Sequence, residues 1–452
     1  MTTTTANRPA APPAELTPEQ VAGTMTSKRF VVLLVGVALV GILVSLATWC
    51  FLEGIYQLDR ELYTHLPHAL GYTRGPPLWW PLPVLGLAGL VVALAITRLP
   101  GDGGHLPAKG LAIGGGTANP IDLPGVILAG LVAVGSGVVL GPEAPLIALG
   151  SGGAVLLIRL TRRDTPPQAL LVMAAAGSFA ALSFIFDSPL IAAVILIEAT
   201  GIGGGRLPLI LVPGLLAAGI GSLVSIGMGS FTGLSSSAYA LSALQLPHFG
   251  HPDIAEFGWT IALAAAIAVA TRVVMSSGLA VSRPVSRRVL LLVPAVGLVV
   301  AGLAIAFHGA SGKSIDEVLF SGESALPGLV AQAGTWSLSA LLLLVVFKGI
   351  AYGLSLGSFR GGPTFPALFL GAAGGIMASH LPGFPLVPAV GVGLGATTAA
   401  VLRLPLSGAI IATFLTIKAG TGDEPLIIVG VVAAYLITLA LTSSRGTSPE
   451  QH

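Results

Sequence analysis

GPEAPLIALGSGG, residues 141–153, is an apolar stretch that opens on Gly141 and Pro142 and carries one carboxylate, Glu143, at its start. Proline at the first helical position is pre-organised, and the N–H it lacks would have no intrahelical partner there. The stretch therefore predicts a helix that begins in the middle of hydrophobic sequence. Such a helix aims unpaired N–H groups and the positive end of its dipole at whatever lies in front of it. An anion is the natural partner.

The pattern occurs twice. Residues 362–375 read GPTFPALFLGAAGG, and Gly141, Pro142, Pro145, Leu149 and Gly150 fall over Gly362, Pro363, Pro366, Leu370 and Gly371. Downstream, AGSFAALSFIFDSPLIAA (176–193) lies over VGLGATTAAVLRLPLSGA (392–409), pairing Gly177 with Gly393, Ala180 with Ala396, Pro189 with Pro405 and Leu190 with Leu406. Single matches come cheaply in a chain rich in Gly, Ala and Leu. Two blocks in the same order at nearly the same offset point to a duplicated membrane protein whose interrupted helices meet at a central site.

Composition agrees with that class. Hydrophobic residues make up 54% of the 452 positions and charged residues 9%, which predicts an all-α polytopic membrane protein. A formal net charge of +2 implies no nucleic-acid partner. The single cysteine, Cys50, excludes an intrachain disulfide. The 61 glycines and 33 prolines favour short, tilted or broken helices over a simple bundle. Residues 1–27 have no periodic apolar face and are expected to form a disordered tail. Lys28 and Arg29 precede the first apolar span, 30–52, which places the N-terminus in the cytoplasm. Further apolar segments run over 78–97, 123–140, 146–158, 168–200, 207–229, 258–280, 289–307, 336–356, 364–380, 388–417 and 425–442. Two of them, 168–200 and 388–417, are long enough for a pair of helices. The membrane domain is thus expected over 28–442, with repeat halves at about 78–230 and 258–442, and a short polar tail over 443–452.

Charges inside apolar sequence are costly and mark function by default. They are Glu143, Asp187, Glu198, Arg272, Lys348, Arg360 and Arg403. Arg272 and Arg360 read as interface anchors at span ends. Asp187 and Arg403 occupy equivalent places, two residues before the matched prolines, and read as a structural ion pair or caps. Lys348 either anchors its span or adds positive potential near an anion path. Glu143 reads either as an ordinary first-turn acid or as a tethered anion that competes with a free one for the same N–H groups. The histidines lie mostly in connectors or at span ends, and no pairing of residues suits an enzyme, a metal or a cofactor.

Taken together, these residues resemble the CLC family of chloride channels and proton–chloride antiporters. GPEAP (141–145) is similar to the family's G-[KR]-E-G-P motif, GTANP (116–120) to a degraded G-S-G-I-P, and GGPTFP (361–366) to G-G-x-F-x-P. The resemblance covers roughly residues 30–442. It implies two inverted repeats of tilted and half-spanning helices, a homodimer in the cell membrane with one pore per subunit, and an anion, chloride first, as substrate. Residue by residue, it implies that Glu143 is the gate, that the Thr117 hydroxyl contacts the anion, and that backbone around Gly141–Ala144 and Gly362–Phe365 supplies amide donors, Thr364 among them. Four departures stand out. Pro142 replaces the family's Lys or Arg, and Pro363 lacks an amide that would face the anion. Ala199 occupies the place of the inner proton-transfer glutamate, leaving Glu198 beside it as a possible proton site. The C-terminal tyrosine ligand has no match. The expectation is a Glu143-gated anion conductor with weak or absent proton coupling. The alternatives are a proton-coupled antiporter for chloride or another small anion such as fluoride, and an unrelated duplicated organic-anion transporter for which Lys348 would be the counter-charge.

Overall fold

A computed structural model of the chain describes residues 17–111, 119–161, 165–201, 207–232 and 241–443. The first helix, α1 (Pro18–Met25), lies in the expected disordered tail. It forms because Thr17 and Gln20 cap each other reciprocally, each side chain accepting from the other's backbone N–H. Next, α2 (Lys28–Arg60) passes through a π-turn, Glu61–His65, into α3 (Leu66–Ala69). The helix overruns the expected span end at 52 because hydropathy marks where chain meets hydrocarbon, and no proline interrupts the backbone before Pro67.

The chain continues through α4 (Pro81–Arg98), α5 (Leu123–Gly135), α6 (Glu143–Thr161), α7 (Pro167–Ile185), α8 (Pro189–Thr200) and α9 (Leu207–Thr232). The second half holds α10 (Ile254–Arg287), α11 (Val289–Ser311), α12 (Leu326–Ala331), α13 (Leu338–Ser358), α14 (Thr364–Ala378), α15 (Leu386–Leu402), α16 (Pro405–Thr416) and α17 (Glu424–Ser443). Among the described residues, nine helical stretches are long and apolar enough to cross a membrane, the first being α2 with α3. Others fall short: the 15 residues of α14 extend about 22 Å against a hydrocarbon core of about 30 Å. Apolar side chains on the outer helices face outward, as Val31, Val32, Val35 and Leu39 do on α2, which suits lipid. In contrast, α14 and α15 are buried along nearly their whole length.

The duplication is visible in the packing. Gly150 of α6 meets Gly177 of α7 so closely that a Cβ on either would lie 2.5 or 2.1 Å from the other's carbonyl oxygen. Gly371 of α14 and Gly393 of α15, their matched residues, make the same crossing at 2.4 and 2.2 Å. Both long apolar segments do split into two helices. The break falls at Asp187 (φ 48°) between α7 and α8, and at Arg403 (φ 58°) between α15 and α16, each followed by the matched proline at the start of the next helix. Among the described residues no ion pair joins Asp187 to Arg403. Their equivalence is one of backbone shape: each takes the left-handed turn that ends one helix and lets proline start the next. Two inverted repeats of tilted, partly half-spanning helices thus enclose one central region.

Candidate anion site at the junction of the repeats

The helix starts α6 and α14 meet head to head. Gly141 N donates to Gly362 O at 2.8 Å and Gly362 N donates to Gly141 O at 2.5 Å, a two-residue antiparallel bridge with no strand around it among the described residues. Pro142 and Pro363 follow the two glycines, so each helix begins immediately beyond the bridge. The site is therefore built from backbone that both copies of the repeat supply.

Glu143 fills it. The residue is fully buried, and its Oε1 accepts from Thr364 N at 2.5 Å and from Phe365 N at 3.3 Å. Those are the first two N–H groups of α14, the ones that lack intrahelical acceptors. The other oxygen, Oε2, is buried with no hydrogen-bond partner among the described residues. Two glycines make room for this fold-back. A Cβ on Gly141 or on Gly362 would lie 2.0 Å from Oε2. Pro363 has no N–H to give, and the carboxyl group sits one residue further along, on Thr364 and Phe365.

Aromatic and basic groups hold this arrangement. Tyr352 of α13, fully buried, donates its hydroxyl to Pro363 O at 2.5 Å and so fixes the turn that presents the two donors. Phe365 stacks at a tilt on Phe186, ring centres 5.7 Å apart. Lys348 is also fully buried, so it does not reach an interface. Its Nζ lies 3.0–3.3 Å from the carbonyl oxygens of Glu317, Val318, Leu319 and Phe320 and 4.4 Å from the Phe369 ring centre. It pins the segment that runs on into Gly322 and Glu323. Glu323 Oε2 is buried without a partner among the described residues. Burial, and then the neighbouring Glu143 carboxylate, push the Glu323 pKa up to about 8.

Gly141, Gly362, Thr364 and Phe365 are thus gathered around Glu143, with Ala144 next to it in the chain. Thr117 lies outside the described residues. Glu198 is committed elsewhere: its two oxygens accept from Leu406 N (2.8 Å), Ser407 N (2.7 Å) and Ser407 Oγ (2.6 Å), capping α16 from α8. Tyr352 and Glu323 escaped the sequence reading. The spacing of Tyr352 to Pro363 marks nothing by itself, and Glu323 stands in a polar connector, where carboxylates are ordinary.

This geometry defines a class: a multi-pass membrane protein of two inverted repeats, whose broken helices converge on a carboxylate plugged into a helix N-terminus. The model of the voltage gated chloride channel family matches residues 88–439, and the chain belongs to that family. Among its relatives is "Putative ion-transport protein YfeO" of Escherichia coli O1:K1 / APEC, 32% identical over 356 residues that cover 76% of this chain and 79% of the relative. The protein of the same name from Escherichia coli O139:H28 (strain E24377A / ETEC) is 31% identical over the same shares. Solved structures with the same fold include a CLC-type fluoride/proton antiporter (TM-score 0.66, 19% identity, 91% of this chain and 97% of that one). A slow cyanobacterial Cl-/H+ antiporter is also similar (TM-score 0.69, 18% identity, 93% and 99%).

Proposed function

We propose that the chain carries a small inorganic anion, chloride first, across the cell membrane, with Glu143 as its gate. One observation carries the reading: the first two N–H groups of α14 hold the Glu143 carboxylate, a tethered anion where a mobile one would bind. Opening then means displacement of Glu143 by protonation or by the incoming anion. The names of the relatives, ion transport for YfeO and chloride or fluoride exchange with protons for the fold neighbours, support an anion as cargo. Membership of the family replaces the alternative of an unrelated organic-anion transporter, and Lys348, whose ammonium is occupied by four carbonyls, is not its counter-charge.

Proton-coupled exchange is a second reading. It is favoured by Glu323, a second buried carboxylate whose electrostatic neighbour is Glu143. The decisive experiment is anion flux from vesicles holding the purified protein, with pH recorded together. Anion flux without proton movement, altered by Glu143→Gln, supports a gated passive conductor. Uphill proton movement supports the exchanger. No anion flux under any gradient refutes both.

The N-terminus is proposed to be cytoplasmic, with residues 28–442 as the membrane domain and its repeat halves at about 78–230 and 258–442. The functional unit is proposed to be a homodimer. Ile195 and Ile411 face inward, each 1% exposed, whereas the matched Leu190 and Leu406 point outward at 67% and 55%. These leucines on α8 and α16 are the surface proposed for the second copy.

A further inference from the structure

Arg360 stands two residues past the end of α13, at a span end as its sequence suggests, and lines a cavity of about 720 Å³ whose walls include residues next to the gate. Ala144 and Pro145, which follow Glu143, form one wall, and Gly361, which precedes the Gly362 bridge, forms another. The loop 101–105 closes on the cavity from the end of α4, the face of the membrane on which α2 begins.

That loop is shaped around the guanidinium. Arg360 Nε donates to Asp102 O at 3.1 Å, and Nη1 donates to Phe359 O at 3.2 Å. Gly103, at φ 68°, lies against the arginine stem, where a Cβ would stand 3.5 Å from Cγ. A guanidinium carries five N–H donors, so most of its fork is not taken by these two carbonyls. Among the described residues no carboxylate comes within ion-pair distance. The carboxylates lining the same cavity are Asp102, which is exposed, and Asp122, which is half-buried. His105 lines the same cavity, and its Nε2 is buried with no partner among the described residues. Burial and then the positive charges of Lys109 and Arg360 hold this imidazole below its usual range, with a backbone bond to Gly110 acting the other way. Burial brings Arg360 down to about 10, so it stays charged at neutral pH.

We infer that Arg360, which lines this cavity with most of its N–H donors unclaimed among the described residues, forms an anion-binding subsite ahead of the Glu143 gate. The inference rests on the anion-transport reading above and names where the anion waits. The geometry gives it a reason. Both prolines at the junction remove amide donors, and the half-buried Arg360 cation has no carboxylate within ion-pair distance among the described residues, only the more distant charge of Asp102, so an anion beside it is favoured. Planar oxyanions match the guanidinium fork in two bonds, whereas a halide takes its charge alone. Chloride and nitrate are therefore the probes.

The test uses purified full-length protein in vesicles. Arg360→Gln is expected to raise the chloride concentration for half-maximal flux at least fivefold. Arg360→Lys keeps the charge and a donor for Asp102 O. It is expected to raise that concentration less than threefold while lowering the nitrate-to-chloride flux ratio at least threefold. If Arg360→Gln does not fold, the ratio in Arg360→Lys decides. Equal half-maximal concentrations and an equal ratio overturn the subsite and leave the conduction reading standing. If the wild type passes neither anion, the conduction reading falls, and the subsite is judged by nitrate titration calorimetry of the detergent-purified wild type and Arg360→Lys. Equal affinity there overturns it.

Discussion

Gly362→Ala separates the gate from the fold. Its Cβ would lie 2.0 Å from Glu143 Oε2, 2.2 Å from Cδ and 2.6 Å from Oε1, and these are its three nearest contacts. Gly362 is not among the residues with positive φ, so alanine meets no backbone strain. The three nearest obstacles all belong to the end of one flexible side chain, so the glutamate must leave. Leaving breaks the 2.5 Å bond from Thr364 N and the weaker 3.3 Å bond from Phe365 N. A hydrogen bond to a charged group contributes about 1.5–3 kcal/mol, and about 1.4 kcal/mol is a factor of ten. Loss of the shorter bond alone therefore shifts the closed-to-open ratio roughly 10- to 100-fold toward open. Chloride efflux from vesicles, read with an ion-selective electrode, is expected to rise at least tenfold in Gly362→Ala. Adding Glu143→Gln is expected to change it little further. Wild-type efflux from a Gly362→Ala protein that elutes and melts like the wild type would refute the fold-back gate.

Three further outcomes are expected. Thr117→Val keeps shape but removes a hydroxyl donor worth about 1.5–3 kcal/mol against an anion; it is expected to weaken halide binding at least tenfold, and unchanged affinity and selectivity would reduce GTANP to a turn. Glu198→Gln loses a carboxylate that caps α16 through three donors; it is expected to lower the melting temperature and leave chloride flux intact, whereas a selective loss of uphill proton movement would make Glu198 a proton site after all. Glu323 has its pKa pushed up to about 8 from 4.5, so the folded chain keeps a proton that the unfolded one releases. The stability this brings is full below pH 4.5 and is lost as pH rises through about 8. Glu323→Gln is expected to flatten the fall in melting temperature between pH 6 and pH 9, and an unaltered slope would show that Glu323 does not titrate there.

Much of the architecture was legible in residue order. The repeat was readable because helix starts and close helix crossings demand particular residues. Proline after glycine immediately precedes both α6 and α14, and Gly150, Gly177, Gly371 and Gly393 stand where no Cβ fits. The split of 168–200 and 388–417 followed from Pro189 and Pro405, since the residue before proline resists helix. Glu143 stood out because a charge inside apolar sequence is costly in a membrane.

Partnership was not legible. Asp187 and Arg403 have opposite charges at matched positions, yet they share a backbone turn instead of a bond, because inversion relates their places without bringing them together. Glu198 read as a possible proton site, and only the fold showed that it sits under the start of α16, more than two hundred residues later in the chain. Lys348, Tyr352 and Arg360 lie on one short stretch, but one feeds four carbonyls, one holds the gate turn and one faces a cavity. Local sequence sets where a helix begins and which side chains are small, because those depend on a residue and its neighbours. Which buried polar group meets which depends on long-range packing, where each donor and charge must find a partner wherever the chain has returned.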